Sequence, residues 1–89
     1  MGKKEDYLAL MSEIIEKQTV ILGPDIAILK ARSVPALILD NDGKVVDIKG
    51  DMDQALQTLI DQYVELSGLI VKNALGSIFS KYPTIKKIG

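Results

Sequence analysis

Apolar residues near the start of the chain recur with helical spacing. From Asp6 to Leu22, steps of about 100° per residue gather Tyr7, Leu8, Leu10, Met11, Ile14, Ile15, Ile21 and Leu22 on one broad face. Ser12, Glu13, Glu16 and Thr19 fall on the other, so an amphipathic helix is predicted. Gly23 then suits the end of that helix and Pro24 the first position of a new one. A short second helix from Pro24 to about Arg32 follows, with Ile26 and Leu29 expected to face inward and Ile28 and Ala31 on a flanking face. A strand through Ile26 to Ala31 is the rival reading.

Past Pro35 the period changes. Ala36-Leu37-Ile38-Leu39 meets Lys44-Val45-Val46-Asp47-Ile48 across Asp-Asn-Asp-Gly, a strong hairpin signal. A two-residue turn at Asp42-Gly43 would pair Leu39 with Val46 and Leu37 with Ile48, placing all four on one face. Ala36, Ile38, Asp40, Val45, Asp47 and Lys49 would take the other. Two strands alone are marginal, so the ribbon should lie on the helices or join a second hairpin across a dimer.

Asp51-Met-Asp-Gln reads as a capping box opening a last helix. Its apolar stripe runs through Leu56, Leu59, Ile60, Tyr63, Ser67, Ile70, Val71, Ala74 and Ile78, and Gln54, Gln57, Asp61, Glu65 and Lys72 mark the polar side. The pattern passes Gly68 and Gly76, where a kink could fall, and stops at Pro83. A helix of about 30 residues would be roughly 45 Å long, whereas a domain of this size should measure roughly 31 Å across. It must break, overhang or pack against another chain. The last alternative gives its surplus apolar surface a partner. It predicts a homodimer with Tyr63, Leu66, Leu69, Ile70, Ala74, Leu75, Ile78 and Phe79 at the interface. The expected fold is therefore α+β, one domain over residues 1–89, with frayed ends at 1–5 and 84–89.

Composition narrows the chemistry. The 89 residues contain no cysteine and no histidine, which removes disulfides, thiolate metal sites and the usual general base near neutral pH. With so small a core, oligomerisation is the remaining common supplement to stability. Formal charge is −1 and the pI about 5.3, so there is no basic field to concentrate nucleic acid. No apolar run approaches the roughly 20 residues of a membrane span, nothing resembles a secretory signal, and Asp6 occupies the place where an acylation motif at Gly2 wants Ser or Thr. A soluble, cytoplasmic protein is expected. The Ile, Lys and Glu bias would also suit a thermophile.

Four places could carry chemistry. Asp40, Asp42, Gly43 and Asp47 partly match a calcium loop, but Ile38 and Lys49 stand where its first ligand and bidentate glutamate belong, so a structural turn is favoured. Gly23-Pro24-Asp25 could offer helix amides to an anion, yet Asp25 would sit where the anion goes. Asp61 and Glu65, four apart on a helix, read as a solvated face. Gln18 lies inside the first helix's apolar stripe, where a buried amide needs partners: a backbone carbonyl, Tyr63, Ser67 or its own copy across a two-fold axis. The expectation is a non-enzymatic protein–protein interaction module, a small subunit or adaptor without cofactor or metal. The alternative is a small-molecule binding or sensory module with an apolar interhelical pocket oriented by Gln18 and a tyrosine.

Overall fold

In the computed structural model, described for residues 3–82, four helices and one hairpin follow in the order α1 (Lys3–Leu22), α2 (Pro24–Arg32), β1 (Leu37–Leu39), β2 (Val45–Ile48), α3 (Met52–Ser67) and α4 (Leu69–Phe79). The side chains of Lys3, Ser67, Leu69, Ile70, Val71, Lys72 and Ala74, and all of residues 83–89, lie outside that description. The fold class is α+β. The first helix starts at Lys3, within the segment 1–5 expected as a tail, and the expected tail at 84–89 lies outside the described residues.

α1 is the centre of the molecule and packs against α2, β2, α3 and α4. Its stripe of Tyr7, Leu10, Met11, Ile14, Ile15 and Gln18 is buried, with Leu8 and Leu22 partly so. Ile21, expected on that stripe, is 41% exposed.

The long C-terminal helix is not formed. The chain breaks at Gly68, whose φ of +55° and ψ of −117° end α3 and turn the chain into α4. Backbone of that kind is open to glycine and costly for residues with a Cβ. The break removes the length problem that called for a second chain. Folded back, α3 and α4 both reach α1, and Leu56, Leu59, Ile60, Tyr63, Leu75, Ile78 and Phe79 join a single core. The radius of gyration is 11.7 Å and the extents are 33 × 26 × 18 Å, the compactness expected of one chain this long.

Asp51 caps α3 as its sequence predicts, its Oδ1 accepting from the amides of Asp53 at 2.9 Å and Gln54 at 3.2 Å. In the hairpin, Leu37 pairs with Ile48 as expected, but Leu39 pairs with Val45 and not with Val46. The loop has three residues, Asn41-Asp42-Gly43, closed by Gly43 N–H to the Asp40 carbonyl at 3.1 Å and Asp40 N–H to the Lys44 carbonyl at 2.9 Å. Asp40 Oδ1 also accepts from the amides of Asp42 and Lys44, both at 2.9 Å. A side chain that organises its own loop in this way competes well with a two-residue turn. Val46 is the extra residue of the resulting bulge, so Val45 turns inward at 4% exposure while Val46 is 50% exposed, the reverse of the expected faces.

Candidate interaction face

α2 approaches the core through its small residues. Ala27 and Ala31, four apart, are fully buried, which lets the helix backbone come close to α1 and α3. The Tyr63 hydroxyl reaches across from α3 and donates to the Ala27 carbonyl at 2.6 Å. With the alanine side turned inward, the large aliphatics of α2 must point elsewhere. Ile28 is half-buried, near the hairpin tip: a methyl group placed on Gly43 would lie 2.9 Å from Ile28 Cγ1. Ile26 and Leu29 face solvent, 48% and 64% exposed. This corrects their expected inward orientation.

At the Gly23-Pro24 junction one residue serves both helices: Gly23 N–H donates to the Thr19 carbonyl to end α1, and the Gly23 carbonyl accepts from Ala27 N–H to begin α2. In the last turn of α1, Val20 is 83% and Ile21 41% exposed. Val20 and Ile21 at the end of α1, and Ile26 and Leu29 on α2, thus leave large aliphatic side chains in water on both sides of the α1–α2 corner, with Asp25 and Arg32 of α2 also exposed. A shallow groove of about 310 Å³ runs along α2, lined by Pro24, Asp25, Ile28, Leu29 and Arg32. Arg32 is steadied by donating from Nη2 to the Asp40 carbonyl of the hairpin at 2.9 Å.

A second depression of about 260 Å³ lies between α1 and the hairpin tip, lined by Ser12, Ile15, Glu16, Thr19, Asp42, Gly43 and Lys44. Its hydroxyls are engaged: Ser12 Oγ accepts from Val45 N–H at 3.0 Å, and Thr19 Oγ1 donates to the Ile15 carbonyl at 2.9 Å. Neither depression includes Gln18.

Gln18 is buried as its position predicts, at 1% exposure. Its Oε1 has no hydrogen-bond partner among the described residues. Tyr63, one of its expected partners, gives its proton to Ala27, and the Ser67 side chain lies outside the described residues.

The residues expected at a helix-mediated interface separate into three groups. Tyr63, Leu75, Ile78 and Phe79 are buried by the chain's own packing, so they leave no surface for a partner. Leu66 is 46% exposed. The side chains of Leu69, Ile70 and Ala74 lie outside the described residues.

The ionisable groups that shift do so away from neutral pH. Tyr7 donates to Asp53, linking α1 to α3. Burial, then that bond and the charges of Asp53 and Asp51, push its phenol up to about 12. Burial raises Tyr63 as well. Tyr82 is raised by burial first and by Glu13 second, and the bond to Glu13 at 3.0 Å raises Lys81. Asp47 is held below the usual carboxylate range by Lys4 and the Ile48 amide. Each shift favours the form already present at neutral pH. Among the described residues no three metal-ligating side chains converge. The carboxylate of Asp40 is directed into its own loop, not outward as a calcium ligand.

No protein-family model, no curated protein and no solved structure matches the chain.

The outward face of α2 was hidden in sequence because aliphatic residues at positions 26, 28 and 29 suit either orientation of a nine-residue helix. The distinguishing signal was the alanine pair at 27 and 31, which marks the side where backbones approach.

Proposed function

We propose that this chain is a non-enzymatic docking module that binds another polypeptide through its α1–α2 corner. The observation that carries the reading is Leu29, 64% exposed beside Ile26 at 48%, on a helix whose opposite side is sealed into the core. Burying one such side chain fully is worth about 1.5 to 3 kcal/mol, so a partner covering this corner gains a useful contact. No helix among the described residues is long and apolar enough to cross a membrane. A ligand-binding module has less support, since neither surface depression reaches Gln18.

The test is site-specific photo-crosslinking in the cells that make the protein, with the reactive side chain at position 29 and, as a control, at position 57 on α3. Adducts from position 29 and none from 57 are expected. Equal yields from the two positions, or no adduct from 29, would reject the corner as a docking face.

A further inference from the structure

We infer that the polypeptide docking at this corner is a second copy of this chain, with α2 antiparallel to its counterpart about a two-fold axis beside Leu29. The inference rests on the docking reading above. Asp25, Leu29 and Arg32 share one stripe of α2, at i, i+4 and i+7. Asp25 and Arg32 are exposed and stand roughly 10 Å apart along the helix, one on each side of Leu29. In an antiparallel pair, Asp25 of each copy meets Arg32 of the other. A two-fold axis makes the two contacts equivalent, and Leu29 and Ile26 fill the space between them. The two helix dipoles then oppose one another, which also favours the pairing.

The groups needed for this are available. The Asp25 carboxylate accepts no hydrogen bond from the described residues. Arg32 uses Nη2 on the Asp40 carbonyl, but a guanidinium carries five N–H donors in a fork. An acidic first turn and a basic last turn would suit the dipole of α2 alone, so the signs by themselves say little. What singles out self-pairing is their placement about Leu29, with the exposed aliphatic stripe between them and the hairpin holding Arg32 in place.

Sedimentation equilibrium of the full chain across the micromolar range tests this. The wild type is expected to show concentration-dependent dimerisation. Asp25→Arg and Arg32→Asp should each weaken it at least tenfold, and mixing those two variants should restore association as a heterodimer, because both contacts then join opposite charges. Leu29→Glu should also weaken it at least tenfold. Should Arg32→Asp fail to fold for want of the Asp40 contact, which circular dichroism would reveal, Asp25→Arg and Leu29→Glu decide the matter alone. A wild type that stays monomeric throughout that range overturns the inference, as does a dimer indifferent to both of those changes. The crosslink at position 29 separates the failures. With a monomeric wild type, an adduct to a chain of another mass overturns self-pairing and leaves the docking face standing, whereas no adduct overturns both.

Discussion

Gly43 shows how a single position ties the hairpin to the helices. Its φ is +87°, a region that side chains with a Cβ rarely enter, and an added methyl would meet Ile28 Cγ1 at 2.9 Å. Gly43→Ala should therefore cost roughly 1 to 3 kcal/mol, read by denaturant titration. No loss would mean that the tip is not held against α2. Gln18 behaves in the opposite sense. Its Oε1 has no partner among the described residues, and a buried acceptor left unpaired costs about 1 to 3 kcal/mol, so Gln18→Met, which keeps the volume and removes the amide, should raise the melting temperature. A lower melting temperature would show that the amide is bonded after all. Tyr7 sets an alkaline limit. An unfolded tyrosine loses its proton near pH 10, while folded Tyr7 keeps its own to about 12. Stability from this difference is complete below pH 10 and is lost as the pH climbs from about 10 to about 12, because the unfolded state ionises first. Tyr63, raised in the same direction, extends the loss. Thermal melts between pH 8 and 12 should fall, less steeply in Tyr7→Phe; equal slopes in both proteins would contradict the assignment.

At the scale of elements, the decisive event is the break between α3 and α4. A residue with a Cβ at Gly68 must either strain the turn or straighten the helix, and straightening would carry Leu75, Ile78 and Phe79 away from the core they share with Tyr63. Gly68→Ala is expected to cost roughly 1 to 3 kcal/mol; a variant as stable as the wild type would mean that the turn tolerates other conformations. The helices α1 and α2, the cap at Asp51 and the existence of the hairpin were legible in the sequence, because spacing, a Gly-Pro junction and turn residues act locally. The break at Gly68 was not legible in the same way. The apolar stripe continues unbroken through it, and periodicity reports which residues want burial without saying whether one chain or two provides it. The hairpin faces failed for a similar reason: Asp40 could serve a two- or a three-residue loop, and one residue of loop length exchanges Val45 with Val46. Ile26 and Leu29 reversed because close packing of Ala27 and Ala31 outweighed the larger aliphatics beside them.

For the whole molecule, the consequence is an exchange of surfaces. The second half of the chain, whose apolar excess suggested an interface, completes the core with Leu75, Ile78 and Phe79, and the two most exposed aliphatics among the described residues, Val20 and Leu29, are on α1 and α2. A protein of this size has little stability to spare, and folding leaves Val20 and Leu29 in water; the docking proposed above would cover them. Equilibrium denaturation of Leu29→Glu beside Ile78→Glu, at a concentration too low for association, separates the two surfaces most directly. Leu29→Glu should stay within about 0.5 kcal/mol of the wild type, as surface changes do. Ile78→Glu, which places a charge in the core, should cost more than about 3 kcal/mol or leave the chain unfolded. The reverse order, with Leu29→Glu crippling and Ile78→Glu tolerated, would show that α2 is core and α4 the free surface.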